Sequence, residues 1–333
     1  MSRPFASLQQ IADAVGVSTA TVSNALRGTG RVSEGVQARV RDAAQRLGYV
    51  PSHAARSLRQ GRSTNVGLVV PDFSMPLFPA FVRAFEQAAR RRGLALMVAE
   101  SMGNPGDQRA AIRDLESRGV DAVIVIPVRD SDGGPMPSHV PTVTVDAASN
   151  PDNAASSDHR EGGRMIARHL VELGHQSVLT LVSAAQSCVS AEREGGMREI
   201  FEAAGIRLRR IACAPSFDAA FALGVTLDTG DATACAAAYD AQAVGLIAAL
   251  RARGIDVPGD LSVTGFDDVI WGRIVEPPLT TIAQDLDAVA DHALDVATGA
   301  SAGARLFPVK LVTRGSTAVP TPTPTRNREG STT

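Results

Sequence analysis

Hydrophobic residues recur every three to four positions in three short runs within the first fifty residues. Each run starts after a serine that can cap a helix and ends at a glycine that can stop one: Ser7 to Gly16, Ser18 to Gly28, and Ser33 to Gly48. The spacing predicts three helices, the second over about residues 19–26. Two short helices joined by a tight glycine-containing turn are typical of a helix-turn-helix unit, so we expect an all-α head over residues 1–50.

From about residue 65 the pattern changes to short apolar runs that alternate with helical stretches. Such runs are typical of strands buried in a parallel sheet. The predicted strands are residues 66–70, 94–99, 122–126, 142–145, 178–182, 233–237 and 261–265, and the predicted helices are 77–92, 105–118, 161–173, 192–204 and 241–253. The alternation predicts an α/β body over residues 63–319 with two doubly wound subdomains, whose strand carboxyl ends face a shared ligand cleft.

Length and composition narrow the class of protein. A chain of 333 residues fits two or three domains. Its composition, with 44% hydrophobic and 20% charged residues, is that of a globular protein and excludes a disordered or fibrous chain. No apolar run reaches the roughly 18 residues that a membrane helix needs. The first ten residues have no secretory signal, so we expect a cytoplasmic protein without a membrane partner.

The sequence has no motif that carries catalysis or holds a metal. The three cysteines have no CxxC spacing and the six histidines are scattered, so a disulfide framework or zinc site is not expected. There is no glycine-rich phosphate loop after a strand, no GxSxG elbow and no HExxH motif. We therefore predict no enzyme, no metal and no cofactor.

Charge is divided unevenly along the chain. Residues 1–62 contain nine arginines and three acidic residues, a net charge of +6, while the remainder carries −8. A basic head on an acidic body indicates a module that binds a polyanion. An arginine-rich surface that is merely solvated is the alternative on charge alone.

The second predicted helix presents a short polar face. Ala20, Asn24 and Arg27 follow helical spacing, flanked by the hydroxyls of Thr19, Thr21 and Ser23. Small side chains let a helix lie deep in the DNA major groove, hydroxyls can bind phosphates, and Asn24 can form paired hydrogen bonds with an adenine edge. A small helical bundle with no partner is the less favoured interpretation.

Residues 51–62 form a candidate hinge. Pro51 suits a helix start and Gly61 a stop, but about ten residues are too few for a helix stable by itself. Leu58 is an apolar residue among arginines, as in wedges that enter the minor groove, and a plain linker is an equal alternative. The Pro/Thr-rich tail, residues 320–333, is predicted to be disordered.

An ordered series of motifs resembles the LacI/GalR family of bacterial repressors: QQIA (9–12), GVSTATVS (16–23), VS (32–33), LGY (47–49), ARSL (55–58) and NVGLVVPD (65–72). The resemblance covers nearly the whole chain. It implies DNA contacts in three groups: base-reading Thr19, Ala20 and Asn24; phosphate-contacting Ser7, Thr21, Ser23 and Arg27; and the wedge Leu58 with Arg59 beside it. Asn24 stands where many relatives carry arginine, which removes the usual basis for a guanine preference.

The same resemblance implies a periplasmic-binding-protein-like body that binds a small-molecule effector. It assigns effector contacts to Phe78, Asp146, Arg193, Phe217, Asp267 and Gln284. Two carboxylates and an arginine between aromatic walls suit vicinal hydroxyls. Tyr239 replaces a common asparagine and Val189 a small hydroxyl residue, so we expect a more apolar pocket than a typical sugar site.

The function expected from these features is a repressor released from a palindromic operator by an effector. A sugar or sugar derivative is expected, and an uncommon sugar, a sugar phosphate or a non-sugar metabolite, including one acting as co-repressor, stay open. A solute-binding protein without DNA function shares the body fold but does not explain the basic head. The chain lacks the leucine-rich C-terminal helix of tetrameric relatives, which favours a homodimer.

Overall fold

The computed structural model describes residues 6–49, 63–128, 136–183 and 187–321, and the chain divides into two compact units, residues 1–63 and 64–333. The predicted hinge residues Leu58 and Arg59 lie outside the described residues, as does all but the start of the predicted disordered tail.

Over residues 6–49, the first unit contains three helices, α1 (Leu8–Val15), α2 (Thr19–Arg27) and α3 (Glu34–Leu47). They surround a small apolar core made of Ile11, Ala12, Val15, Val22, Ala25, Val40, Ala43 and Ala44. Glycines end the helices as predicted, because each adopts a left-handed conformation that closes the last turn: Gly16 (φ 74°), Gly28 (φ 69°) and Gly48 (φ 66°). The serine side chains before α1 and α2 cap those helices, whereas that of Ser33 makes no cap hydrogen bond with α3.

The second unit contains two lobes. Lobe 1 is built on a parallel sheet of six strands in the order β11-β5-β4-β3-β1-β2. Its strands are β1 (Asn65–Val70), β2 (Ala95–Glu100), β3 (Ala122–Val125), β4 (Thr142–Val145), β5 (Asn153–Ser157) and β11 (Arg305–Phe307). Helices α4 (Leu77–Arg91) and α11 (Leu286–Ala297) pack on one face, and α5 (Pro105–Ser117) packs on the other.

Lobe 2 is built on a second parallel sheet, in the order β7-β6-β8-β9. Its strands are β6 (Ser177–Val182), β7 (Arg207–Ala212), β8 (Ala234–Ala237) and β9 (Ser262–Thr264). Helices α6 (His159–Glu172) and α7 (Cys188–Ala203) cover one face, α8 (Phe217–Thr226) and α9 (Asp240–Ala252) the other, and the short α10 (Ile270–Ile274) follows β9. The predicted doubly wound body with two subdomains is confirmed.

The chain passes between the lobes after β5, after β10 (Thr281–Gln284), and between β11 and β12 (Val309–Val312). Strands β10 and β12 pair in an antiparallel ladder beside these crossings. Trp271, the one tryptophan of the sequence, packs against the apolar cores of both lobes. The chain crossings and the indole of Trp271 hold lobe 1 and lobe 2 next to each other, with a cleft between them.

Helices α6 and α7 approach each other unusually closely because glycines face the contact. A Cβ added at Gly196 would lie 2.9 Å from the carbonyl carbon of Arg160, and one added at Gly163 would lie 3.0 Å from the amide nitrogen of Met197. Real side chains do not pack at such distances. The two glycines therefore fix how deeply α7, which carries Arg193, enters the cleft.

Candidate nucleic-acid interface and ligand cleft

The amino-terminal end of α2 is exposed. Thr19 and Ala20 are both exposed, as the prediction of a base-reading face requires. Ser18 caps the helix by accepting the N–H of Thr21 at 3.1 Å, and the two hydroxyls are 2.9 Å apart. Ser7 is exposed and accepts the N–H of Gln10 at 3.3 Å. The end of α2 thus offers small side chains on a rigid, capped helix.

The carboxyl-terminal half of α2 has a more constrained arrangement. Arg27 donates through Nη2 to Asn24 Oδ1 at 2.8 Å and through Nε to the carbonyl of Ser23 at 3.0 Å. Asn24 Oδ1 thus accepts one hydrogen bond from Arg27, and its second lone pair and the Nδ2 amine remain for paired hydrogen bonding to adenine. Ser23 is only 8% exposed, so little of it is available to a phosphate.

In the cleft, Asp146 follows β4 with a left-handed backbone (φ 55°), which is rare for a residue with a side chain and costs conformational energy. Its Oδ1 accepts the N–H of Ser157 at 2.9 Å and lies 3.1 Å from Nε2 of His159. His159 is buried at the start of α6, directly after a chain crossing. Sequence reasoning missed His159, because a histidine after a capping aspartate has no pattern that separates it from a structural residue.

Arg193 is the centre of the buried polar network, at 1% exposure. Its Nε donates to Nδ1 of His159 at 3.3 Å, which makes Nδ1 an acceptor and leaves the proton of the neutral ring on Nε2, facing Asp146. Its Nη1 donates to the carbonyl of Ala238 at 2.7 Å and its Nη2 to Asp267 Oδ1 at 2.8 Å. The guanidinium also lies over the ring of Phe266, 3.7 Å from the centroid.

Beside this network is a cavity of about 290 Å³, near the lower end of the size range of small-molecule sites. It is lined by the ends of β1, β3, β4 and β8, the starts of α4 and α5, and the first half of α7. The predicted effector contacts on its wall are Phe78, Asp146, Val189, Arg193 and Tyr239.

Three predicted effector contacts are not on this wall. Asp267 and Gln284 lie behind Arg193, where Asp267 Oδ1 accepts both Arg193 Nη2 and Gln284 Nε2 (2.9 Å), and they border a neighbouring opening instead. Phe217 begins α8, where its ring stacks on Phe221 with centroids 6.0 Å apart. Phe217 packs, partly buried, against the core of lobe 2. Effector contact by these three residues stays a prediction.

Burial and contacts shift the pKa values of the cleft carboxyls in opposite directions. Burial opposes the ionisation of Asp146, but His159, the Ser157 N–H and Arg193 outweigh it and hold its pKa below the ordinary value. Burial raises the pKa of Asp267 despite its contact with Arg193. Burial, together with the charge of Asp267, raises the pKa of Asp240 to about 7, although that carboxyl accepts the Thr281 hydroxyl at 2.6 Å.

Two further observations concern metals and membranes. Within the described ranges, no group of three or more His, Cys, Asp or Glu side chains is arranged to hold a metal ion. Every helix in the described part of the chain is too short or too polar to cross a bilayer.

Two protein-family models match the chain. Residues 7–52 match the bacterial regulatory proteins of the lacI family, and residues 167–317 match a periplasmic binding protein-like domain. The first match contains the three helices of the head, and the second contains most of lobe 2, from within α6 onward, with the cleft residues Arg193, Tyr239 and Asp267.

Characterised relatives agree with both matches. The chain is 31% identical to the transcriptional regulator GalR of Escherichia coli over 303 residues, which cover 88% of each chain. It is 27% identical to the regulator DegA of Bacillus subtilis over 332 residues, 93% of this chain and 98% of that one.

Solved structures extend the similarity to three dimensions. The lac repressor dimer bound to operator and the anti-inducer ONPF aligns with a TM-score of 0.83 at 26% identity, covering 95% of this chain and all of that one. The regulator CelR in complex with cellobiose aligns with a TM-score of 0.67 at 26% identity, covering 94% of this chain and all of that one. With its capped helix-turn-helix head and its two-lobed α/β body, the chain belongs to the LacI family of DNA-binding bacterial transcriptional regulators.

Proposed function

We propose that this protein is a homodimeric repressor that binds a palindromic operator through its head and releases it when a small molecule binds in the cleft. The proposal rests on one observation, that two features occur in the same chain. One is a folded, basic head with an exposed α2 face, and the other is a cleft whose polar groups come from both lobes.

The cleft supports an effector that bridges the lobes. Asp146 belongs to lobe 1 and Arg193 to lobe 2, and His159 connects them from the crossing between the lobes. A molecule that hydrogen-bonds to Asp146 and to the lobe 2 wall favours one lobe arrangement over others. Such an effector changes operator affinity, typically by 1–3 kcal/mol of coupling, and operator DNA weakens effector binding by the same factor.

Sugar-like effectors are favoured by the relatives whose structures are known. The lac repressor structure contains the anti-inducer ONPF, and the CelR structure contains cellobiose. A carboxylate with one oxygen unused by Ser157 and His159, next to a guanidinium, suits hydroxyl groups. The relatives named above are regulators, which favours a binding protein over an enzyme. A regulator that binds chromosomal DNA acts in the cytoplasm, which is the location we propose.

A homodimer is supported by large apolar side chains that remain exposed on lobe 2. Ile270 and Ile274 on α10 are 60% and 73% exposed, and Val225 on α8 is 48% exposed. Helices α8, α9 and α10 follow one another around the same face of the lobe 2 sheet. Ile270 and Ile274 are four residues apart on α10 and so lie on the same face of that helix. Because exposed apolar side chains that lie together mark interaction surfaces, a second copy of the chain is the proposed partner.

Gel shift with the full chain and its own upstream DNA tests the proposal. We expect specific binding whose affinity falls steeply with salt, because arginines displace phosphate counterions. An Asn24→Ala variant should lose discrimination between operator and random DNA and keep its salt dependence. An effector that tightens operator binding would make the protein a co-repressor-dependent regulator, and binding equal for all sequences would contradict the proposal.

A further inference from the structure

The side chain of Arg27 folds back along α2. It starts from the last residue of the helix, yet its Nε donates to the carbonyl of Ser23 at 3.0 Å and its Nη2 donates to Asn24 Oδ1 at 2.8 Å. Helical side chains lean toward the helix amino terminus, so these two bonds hold the guanidinium over the preceding turn. Arg27 therefore lies on the same polar face as Ala20 and Asn24.

One end of the Arg27 guanidinium stays available to a ligand. Two of its five N–H groups, one on Nε and one on Nη2, bind α2 along one edge of the plane. The other end carries the second N–H of Nη2 and both N–H groups of Nη1, and these have no acceptor among the described residues. The two acceptors on α2 are neutral, so neither offsets the positive charge of Arg27.

Asn24, which anchors this arginine, is itself held in place by the turn after α2. The N–H of Thr29 donates to the carbonyl of Asn24 at 3.1 Å. A Cβ added at Gly30 (φ 82°) would lie 3.3 Å from Asn24 Nδ2 and 3.6 Å from its Cβ, so the turn packs closely against the amide. The fold of the head thus fixes the position of the Asn24 amide, and the amide in turn fixes the guanidinium.

This placement suits a base edge better than a phosphate. The resemblance assigns Arg27 to a phosphate, but phosphates follow the rims of the major groove, whereas base edges form its floor. A guanidinium tied back over the polar face of α2 points to the floor. Its free end offers two parallel N–H groups, which is the pattern that the O6 and N7 acceptors of guanine bind.

We propose that Arg27 reads a guanine in the major groove and that Asn24 is the residue that positions it. This rests on the proposed binding of operator DNA through α2. Asn24 stands where many relatives carry arginine, and Arg27 returns a guanidinium to that part of the helix from three residues further along. Each half-site then contains a G·C pair next to the base pair that Asn24 contacts.

Selection from DNA duplexes randomised over about two helical turns, with the full-length chain, tests the assignment. Arg27→Gln removes the fork at an exposed position and leaves the apolar core of the head intact. We expect its selected site to lose one G·C pair in each half-site. The affinity ratio between duplexes with G·C and A·T at that position should fall by about 5- to 150-fold, the range of one paired base contact.

Arg41→Gln is the matched control for the loss of an arginine. Arg41 Nη2 donates to Gln37 Oε1 at 3.4 Å, which is the same kind of pair on α3, away from the polar face of α2. This variant should select the wild-type site. If Arg27→Gln also selects the wild-type site and only binds every sequence more weakly, Arg27 binds a phosphate and the inference is overturned.

Asn24→Ala tests the positioning role. It removes the acceptor that holds Nη2 of Arg27, so the preference should weaken at two neighbouring base pairs, whereas Arg27→Gln affects the G·C pair. A change confined to the single base pair that Asn24 contacts would show that Arg27 reads its base without Asn24, and would overturn the positioning role. A wild-type protein that selects no site at all would refute the proposed operator binding, which distinguishes that failure from a failure of the Arg27 assignment.

Discussion

Replacing Gly196 by alanine should damage the cleft from a distance, through the packing of α6 on α7. The added Cβ would lie 2.9 Å from the carbonyl carbon of Arg160 and 3.0 Å from the amide nitrogen of Arg164, with the Arg160 oxygen closer still. All of these atoms belong to backbone, which cannot rotate away. Because carbon atoms pack at about 3.5–4.0 Å, the helices must separate by roughly 1 Å.

The size of the effect follows from two opposing contributions. Alanine stabilises a helix interior by about 0.8–1.0 kcal/mol relative to glycine. Forcing a methyl group into a well-packed contact costs typically 1–3 kcal/mol, and a backbone clash lies at the upper end. We therefore expect Gly196→Ala to lower the free energy of unfolding by about 1–2 kcal/mol. Since Arg193 is one turn away on the same helix, its contacts with His159 and Asp267 should weaken as well.

Gly195→Ala is the matched control, because a Cβ there would meet only the Arg160 side chain, with Nη1 at 3.3 Å. That side chain pairs with Glu192 and Glu199, but its flexible end can shift a few tenths of an ångström, which a backbone atom cannot. This variant should be as stable as the wild type or slightly more stable. Urea denaturation followed by circular dichroism measures both variants. Equal midpoints for the two would refute the account of the α6–α7 contact, and so would a Gly196→Ala protein that gains stability.

Three other measurements test separate parts of the structure. Asp240 has a pKa of about 7 when folded and an ordinary value near 4 when unfolded, so it contributes stability below about pH 4 that is lost as pH rises to about 7. Asp240→Asn should flatten the fall in unfolding free energy by roughly 2–4 kcal/mol across that window in urea titrations, and an unchanged slope would disprove the assignment. Trp271 packs against both lobe cores, so its fluorescence should shift when an effector binds in the cleft and changes the lobe arrangement, and an unchanged spectrum at saturation would show that the lobes do not move there. Ile274→Glu puts a charge on the proposed dimer face and should yield monomers in analytical ultracentrifugation, whereas a persistent dimer would place the interface elsewhere.

The sequence predicted the elements in which local signals and burial agree. Strand β1 has an apolar run that is buried on both faces, and α1 has a serine cap, a glycine stop and a clear apolar face. Strand β7, Arg207–Ala212, was missed because it is a polar edge strand with most side chains in solvent. Strand β5, Asn153–Ser157, was missed because its small residues have no β-forming pattern, although four of the five are buried. Helix α11 was also missing from the predicted helices, although the sequence shows it: an apolar stripe runs from Leu286 to Ala297 after the capping Asp285.

The candidate site also contains residues that the sequence predicts and residues that only the fold reveals. Asp146 and Arg193 were predicted from the resemblance and do line the cavity, since each occupies a fixed place relative to a strand or helix end. The engagement of Arg193 by Asp267 depends on the exact depth of α7, which the Gly163 and Gly196 contacts set across helices and which no local pattern encodes. His159 is recognisable as a site residue only in the folded protein, where Arg193 and Asp146 lie beside its two ring nitrogens.

The central claim, that the head reads specific DNA, is tested most directly by selecting bound sequences from a random pool with the full-length protein. We expect enrichment of one palindromic site, because two heads of a homodimer would present α2 to successive major grooves. We also expect Thr19→Ala to change the selected bases at one position in each half-site. A selected pool without a palindrome, or one identical for wild type and variant, would contradict it.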